Sequence, residues 1–318
     1  MKRLKLLLAA LCIVLTGEVH SQKWKHYDTT NSGLPYFIDI ESIAIDDQNN
    51  KWIGTYGGGL IKFDGSTWTV YNTSNSDLPV NSVRSIAIDD QGNKWIGTDN
   101  GLAKFDDSTW TVYNTSNSGL PYDDVRIITI DNKGNKWIGS FPGGLAKFDD
   151  STWTFYPRNV WSISTDNQGN KWFGTISHGL AKFDGVNWTI YNTSNSGLPY
   201  DNVKVITIDD QGNKWIGTYG GGLAKFDGST WTVYDTSNSD LPVNKIRAIA
   251  IDDQGNKWIG TYLGGMAKFD GVNWTIYNTS NSDLPGDLVD PITIDEQGNK
   301  WIGHYKGLSV FNENGVSV

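Results

Sequence analysis

Cysteine is nearly missing from this sequence: Cys12 is the single one among 318 residues. An intrachain disulfide framework and a thiolate metal site are therefore both excluded. Histidine is also scarce, with four, and positive charge is in deficit, with 26 Lys and Arg against 35 Asp and Glu. Basic residues form no run in the body of the chain, which makes it a poor partner for nucleic acid or an anionic membrane. Beyond the N-terminus no apolar stretch is long enough to span a bilayer. Helical periodicity is lacking throughout.

What is present begins with an export signal. Lys2, Arg3 and Lys5 precede an apolar run over residues 6–15, and Val19-His20-Ser21 offers small residues at a peptidase site. The pattern predicts a signal peptide over residues 1–21, cleaved after Ser21, and a mature domain over 22–318. Leu11 stands where a lipoprotein signal needs a small residue, and Cys12 lies inside the apolar run. Cleavage removes three basic residues and Glu18, which takes the formal charge from −9 to −11. A soluble, monomeric, secreted or periplasmic protein without membrane insertion is expected.

A single unit is repeated along the rest of the chain. It is clearest over residues 203–242, as VxxIxIDDQGNKWIGT, GGGLAKFDGSTWTVY and a DTSNSDLP loop. Its core tryptophan recurs at Trp52, Trp95, Trp137, Trp172, Trp215, Trp258 and Trp301, in steps of 43, 42, 35, 43, 43 and 43 residues. That period suits a four-stranded propeller blade. Each copy divides into four short runs rich in β-branched and aromatic residues, called strands A to D; in the second copy they cover 83–88, 94–98, 102–105 and 110–113. A strand D sequence at Trp24-Lys25-His26-Tyr27 precedes the first copy, and the last copy stops after strand C. The expected fold is thus all-β: a seven-bladed β-propeller closed by the N-terminal strand completing the last blade, which leaves no open sheet edge.

Recurrence separates scaffold from site. An Asp opens every A–B turn (Asp46, Asp89, Asp131, Asp166, Asp209, Asp252, Asp295), followed three residues later by Gly, or by Asn49 in the first copy. This implies a positive φ and an Asp that caps turn N–H groups. The spacing lacks the ligands of a calcium loop, and no metal or cofactor is expected. Both tryptophan families, those of Trp52 and of Trp68, read as core. The N-x-S/T triplets at Asn72, Asn114, Asn192 and Asn278 belong to a loop that recurs as repeat chemistry.

The positions that vary are candidates for a site. Just after strand B stand Tyr56, Asp99, Phe141, Ile176, Tyr219, Tyr262 and Tyr305. Before strand A, Tyr36, Tyr122 and Tyr200 alternate with Val80 and Val243. Five residues ahead of the turn Asp, at the start of the innermost strand, the ring reads Glu41, Arg84, Arg126, Trp161, Lys204, Arg247 and Asp290. These should meet at the channel mouth, either as mutually neutralising charges or as an electropositive pocket with an aromatic floor. The fourth copy has lost eight residues at Pro157-Arg158-Asn159, beside the unique Trp161, which makes a notch or a gap that the tryptophan fills. His178 and His304 fall in B–C turns of blades 4 and 7, too far apart for joint coordination. No catalytic set emerges from these positions.

The WIGT-GGL-FDG-W pattern preceded by IDDQGN resembles the two-component regulator propeller repeat. That resemblance covers nearly all of the mature chain and implies the fold and export. In that family such propellers form periplasmic sensor parts of hybrid sensor proteins, often linked to polysaccharide use. The sequence ends at Val318 with no following Ig-like, membrane, kinase or regulator segment. A fainter likeness to seven-bladed lyases lacks a matching His-Glu set. The expected function is a non-enzymatic, sensor-like propeller that binds a carbohydrate or other polar ligand at the channel mouth. A scaffold docking an exported protein is the alternative, and a polysaccharide lyase using His178 or His304 the third reading.

Overall fold

The computed structural model describes residues 22–35 and 39–316. Residues 1–21, where a signal peptide is expected, and Tyr36 lie outside them. Strands of three to seven residues form seven four-stranded antiparallel sheets. In blade 2 they are Val83–Ile88, Lys94–Thr98, Gly101–Phe105 and Trp110–Tyr113. Strand A of each blade lies against strand A of its neighbours, so these strands form the innermost ring. Among the described residues there is no helix long and apolar enough to cross a membrane.

The ring closes as the termini demanded. Trp24–Tyr27 pairs antiparallel with Gly307–Phe311, Trp24 opposite Phe311 and Tyr27 opposite Leu308. Trp24 is buried, with its ring 4.4 Å from that of Phe311. Backbone N–H groups of Asn312 and Val316 donate to the carbonyls of Lys23 and Gln22.

One device holds every turn and every blade contact. The turn Asp accepts backbone N–H bonds and, through Oδ2, the indole N–H of the strand B tryptophan, at 2.8–2.9 Å from Trp52–Asp46 round to Trp301–Asp295. Those bonds hold Asp131 down to about 2, outweighing the opposing effect of its burial. Asn49 has φ 63° and its glycine counterparts lie at 74–82°, as the turn requires. The buried tryptophan then carries a strand B lysine of the next blade over its face, Lys94 over Trp52 at 4.6 Å and, across the closure, Lys51 over Trp301 at 4.8 Å. The glycine of the WIG core lets neighbouring blades approach closely: a Cβ on Gly97 would stand 2.8 Å from Val125 of the next blade.

Two expectations need correction. The second tryptophan family is only half-buried: Trp68, Trp110, Trp153, Trp188, Trp231 and Trp274 lie on the outer strand, and Trp68 stacks on Phe63 at 4.2 Å. Their counterpart on the closing strand, Trp24, is buried. In the shortened blade 4, Trp161 is not the filler. Other blades bury a loop leucine (Leu34, Leu78, Leu120, Leu198, Leu241, Leu284), whereas the blade 3–4 cluster has none and holds Phe173 where other copies have Ile. Phe173 supplies the missing bulk, and Arg158 of the short connection lies over Trp188 at 4.7 Å. The sequons are structural: Asn72 Oδ1 accepts from the N–H and hydroxyl of Ser74, and its counterparts do likewise.

Candidate functional site

The variable ring residues coincide with a backbone irregularity. In blades 1 to 6 the A–B register slips at the second core residue of strand A, and the residues left unpaired are Glu41, Arg84, Arg126, Trp161, Lys204 and Arg247. A bulge frees a side chain from the alternation of the strand and re-aims it. Blade 7 departs: Pro291 has no N–H to give the ladder, strand A is only Ile292–Ile294, and Asp290 precedes it. The B–C turns and D–A segments share this face, as shown by bonds from Tyr56 N–H to the Asp39 carbonyl and from Tyr262 N–H to the Lys245 carbonyl.

The ring charges are largely spent on one another. Arg84 donates to Asp99 at 2.7 Å and to Glu41 of the preceding blade at 3.3 Å. Burial opposes the charge on Arg84, yet Asp99 and Glu41 outweigh it and hold the guanidinium above its ordinary value. Glu41 moves up, because burial outweighs the pull of Arg84. Arg247 pairs with Asp290 at 2.9 Å and Arg126 with Asp124 at 2.7 Å. Arg84 also lies over Tyr56 at 4.6 Å, and Arg126 over Phe141 at 4.3 Å.

Two cations differ. Lys204 lies over Trp161 at 4.9 Å, and Lys245 sits 5.3 Å and 5.2 Å from the rings of Tyr219 and Tyr262, which are themselves edge-to-face at 6.0 Å. Neither has a carboxylate at salt-bridge distance among the described residues. Beside them the exposed Tyr200 helps line a cavity of about 290 Å³ with Ile176 and Asn202. Lys204 and Lys245 thus gather in blades 5 and 6 beside Trp161 of blade 4, and Lys306, over Tyr305 at 5.5 Å, is a further such cation in blade 7. Tyr305 stands exposed in blade 7, adjoining this sector, and Tyr56 is exposed in blade 1 beyond it. Lys245 and Asp124 escaped the sequence reading although they share one repeat position, two residues before the bulge. That position varies as Asp39, Ser82, Asp124, Asn159, Asn202, Lys245 and Leu288, a signal as readable as the one five residues before the turn.

The two histidines separate. His178 is exposed and touches only Ser177 through its ring. His304 is a correction: it is 2% exposed and forms no part of a ligand-facing surface. Its Nδ1 accepts from the Lys306 N–H, which leaves Nε2–H to donate to Ser309 Oγ at 2.6 Å, and that hydroxyl donates in turn to His26 Nδ1 at 2.8 Å. Burial, then the neighbouring His26 and Lys306, push His304 down to about 4. His304 thus joins the closing strand to the last blade. Among the described residues no three His, Cys, Asp or Glu side chains converge as a metal site would require.

The sequence pattern of the two component regulator propeller family matches residues 77–100, from the D–A loop through strand B of blade 2. The chain carries that family's repeat. No curated protein matches the sequence. Among solved structures, it resembles the extracellular domain of a protein described as a hybrid two component system of B. thetaiotaomicron, with a TM-score of 0.79 and 24% identity over 92% of this chain and 41% of that one. It spans about two-fifths of that structure's length. Virginiamycin B lyase from Staphylococcus aureus is similar too, with a TM-score of 0.74 and 14% identity over 91% of this chain and 98% of that one. So is YCF48 solved with a D1 peptide, with a TM-score of 0.70 and 14% identity over 93% and 96% of the two chains. At these identities the likeness establishes the seven-bladed fold.

Proposed function

We propose that the protein is an exported, sensor-like binding propeller that takes a hydroxylated or anionic ligand, a carbohydrate first among them, on the D–A/B–C face in the sector of blades 4 to 6. The observation that carries this reading is the pair of cations Lys204 and Lys245, stacked on Trp161, Tyr219 and Tyr262 without carboxylate partners. Flat aromatic faces suit the apolar face of a sugar ring, and ammonium groups suit its hydroxyls or an acidic substituent. The paired Arg84, Arg126 and Arg247 and the acidic Glu41 and Asp290 serve chiefly to close the channel mouth. The likeness to an extracellular sensor domain supports export and a sensing role.

Calorimetric titration with a panel of neutral and acidic oligosaccharides tests this. Binding by the mature chain, weakened about tenfold or more in Trp161→Ala and Lys245→Ala, is expected from the loss of one stacked contact or one charge-assisted bond. Unchanged binding in both variants would overturn the site. A second reading is a protein-docking face, favoured by the exposed rings of Tyr56, Tyr122, Phe141, Tyr200 and Tyr305 around the same surface. Silence toward every glycan, together with capture of an exported protein that Tyr56→Ala and Phe141→Ala abolish, is the outcome that selects it. A lyase reading has weaker footing, because His304 is enclosed.

A further inference from the structure

The opposite face, where A–B and C–D turns emerge, carries a second repeated arrangement. The residue two places after the strand C phenylalanine is Gly65, Asp107, Asp150, Gly185, Gly228, Gly271 or Glu313 in blades 1 to 7. Where it is acidic, its carboxylate is tied down beside the groove, in blades 2 and 3 by the strand B lysine of its own blade and in blade 7 by residues of the preceding blade. Asp107 accepts from Lys94 and Asp150 from Lys136, each at 2.6 Å. Glu313 accepts from Lys268 at 2.6 Å and from the Tyr277 hydroxyl at 3.3 Å, both on blade 6.

Between blades 3 and 4 the equivalent groove is open, a cavity of about 400 Å³ lined among others by Lys147, Tyr156, Lys171, Phe183 and Gly185. Lys147 and Tyr156 stand at the repeat positions of Lys268 and Tyr277, and Gly185 at that of Glu313. A Cβ on Gly185 would meet nothing within 4 Å. Lys171 is already engaged by Asp131 at 3.2 Å and by the Gly169 carbonyl at 2.6 Å. Lys147 has no such partner among the described residues.

The rim changes charge at this same groove. After the turn Asp, five copies have an acidic residue (Asp47, Asp90, Asp210, Asp253, Glu296), but blades 3 and 4 have Asn132 and Asn167, and both line the cavity. The next residue is Gln in six copies and Lys133 here. Two negative charges have gone and a positive one has been added, in a chain of net −9. The two carboxylates that face the groove are committed: Asp131 to Trp137, Asn135 and Lys171, and Asp184 to the N–H groups of Val186 and Asn187.

We propose that the blade 3–4 groove is a binding site for a small carboxylate-bearing ligand, whose carboxylate takes from Lys147 Nζ and Tyr156 OH the two bonds that Glu313 takes from Lys268 and Tyr277. Lys133 and the amides of Asn132 and Asn167 face the rest of the molecule. The cavity has room for a body the size of one acidic sugar. The site is independent of the channel mouth.

The test is titration of the mature chain, by calorimetry or by amide shifts, with acetate, glycolate and glucuronate against neutral glucose. Carboxylates bind at this groove and glucose does not bind there. Lys147→Met weakens them by roughly tenfold, the loss of one charge-assisted bond. Gly185→Asp abolishes binding, because the new carboxylate occupies the groove as Asp107 and Asp150 do at the same φ > 0 turn position, while Val272→Ala, exposed in the corresponding turn of blade 6, leaves binding unchanged. Unfolding midpoints check that each variant is folded. Absence of binding by all three carboxylates, glucose binding that Lys147→Met weakens as much as it weakens glucuronate, or full binding by folded Gly185→Asp would each overturn the proposal.

Discussion

Mild acid should loosen the ring at its closure before it does so elsewhere. His304 is buried and held near 4, against 6.5 for a free imidazole. The folded value lies below the unfolded one, so unfolding takes up a proton: the stabilisation is complete above the unfolded value and is lost as pH falls from 6.5 toward 4. A shift of that size corresponds to about 3 kcal/mol once both values are passed, and to about 2 kcal/mol by about pH 5. His26, lowered mainly by burial against the opposing pull of Asp283 and Asp28, shifts in the same sense and adds to the effect. The turn aspartates Asp46, Asp89, Asp131, Asp166, Asp209 and Asp252 are held below the ordinary carboxylate value, Asp131 at about 2, so they contribute little in this window.

The assay is urea unfolding followed by tryptophan fluorescence at about pH 7.5, 6 and 5, for the natural chain and for His304→Thr. Thr or Ser holds this place in the other six blades, and Thr55, Thr98, Thr175, Thr218 and Thr261 donate to the turn carbonyl at 2.8–2.9 Å. The substitution should cost about 1–2 kcal/mol at neutral pH, from lost volume and the orphaned Ser309 hydroxyl. It should also abolish most of the loss between neutral pH and pH 5. If His304→Thr keeps the full acid loss, or the natural chain shows none, the role assigned to the His304–Ser309–His26 chain is wrong.

Other consequences can be checked the same way. Trp24→Ala removes a buried ring packed on Phe311 at the closing strand and should destabilise by about 3–5 kcal/mol in denaturant titration. Asp209→Ala strips the partner from the Trp215 indole and from the N–H of Asn213, and a loss of about 2–4 kcal/mol is expected. Gly92→Ala at φ 78° should cost about 1 kcal/mol while Gly92→Asn costs markedly less, since Asn49 holds that backbone in blade 1. Equal costs for the two would refute the positive-φ account.

The site was legible only in part. Comparing copies at one position found the channel-mouth residues, because a position freed from packing is free to vary. The position of Lys245 and Asp124 varies as well, as do those of Asn132, Lys133 and Gly185 on the other face, but there the changes are small. His304 looked like a surface histidine because its neighbours in sequence belong to a turn. Its burial comes from His26 and Ser309, which lie on strands 278 and 5 residues away in the chain.

Repetition itself determined the strands, the seven blades, the positive-φ turns and the closure by Trp24–Tyr27, because each follows from local periodicity and from counting strands against cores. Tertiary structure alone decided which charges survive as charges. Arg84, Arg126 and Arg247 read the same as Lys204 along the chain, but the first three meet carboxylates and Lys204 meets the face of Trp161. The physical reason is that a bulge sets where a side chain is aimed, while its partner is set by how neighbouring blades converge on the axis. That convergence depends on distances across the ring, which no single repeat contains.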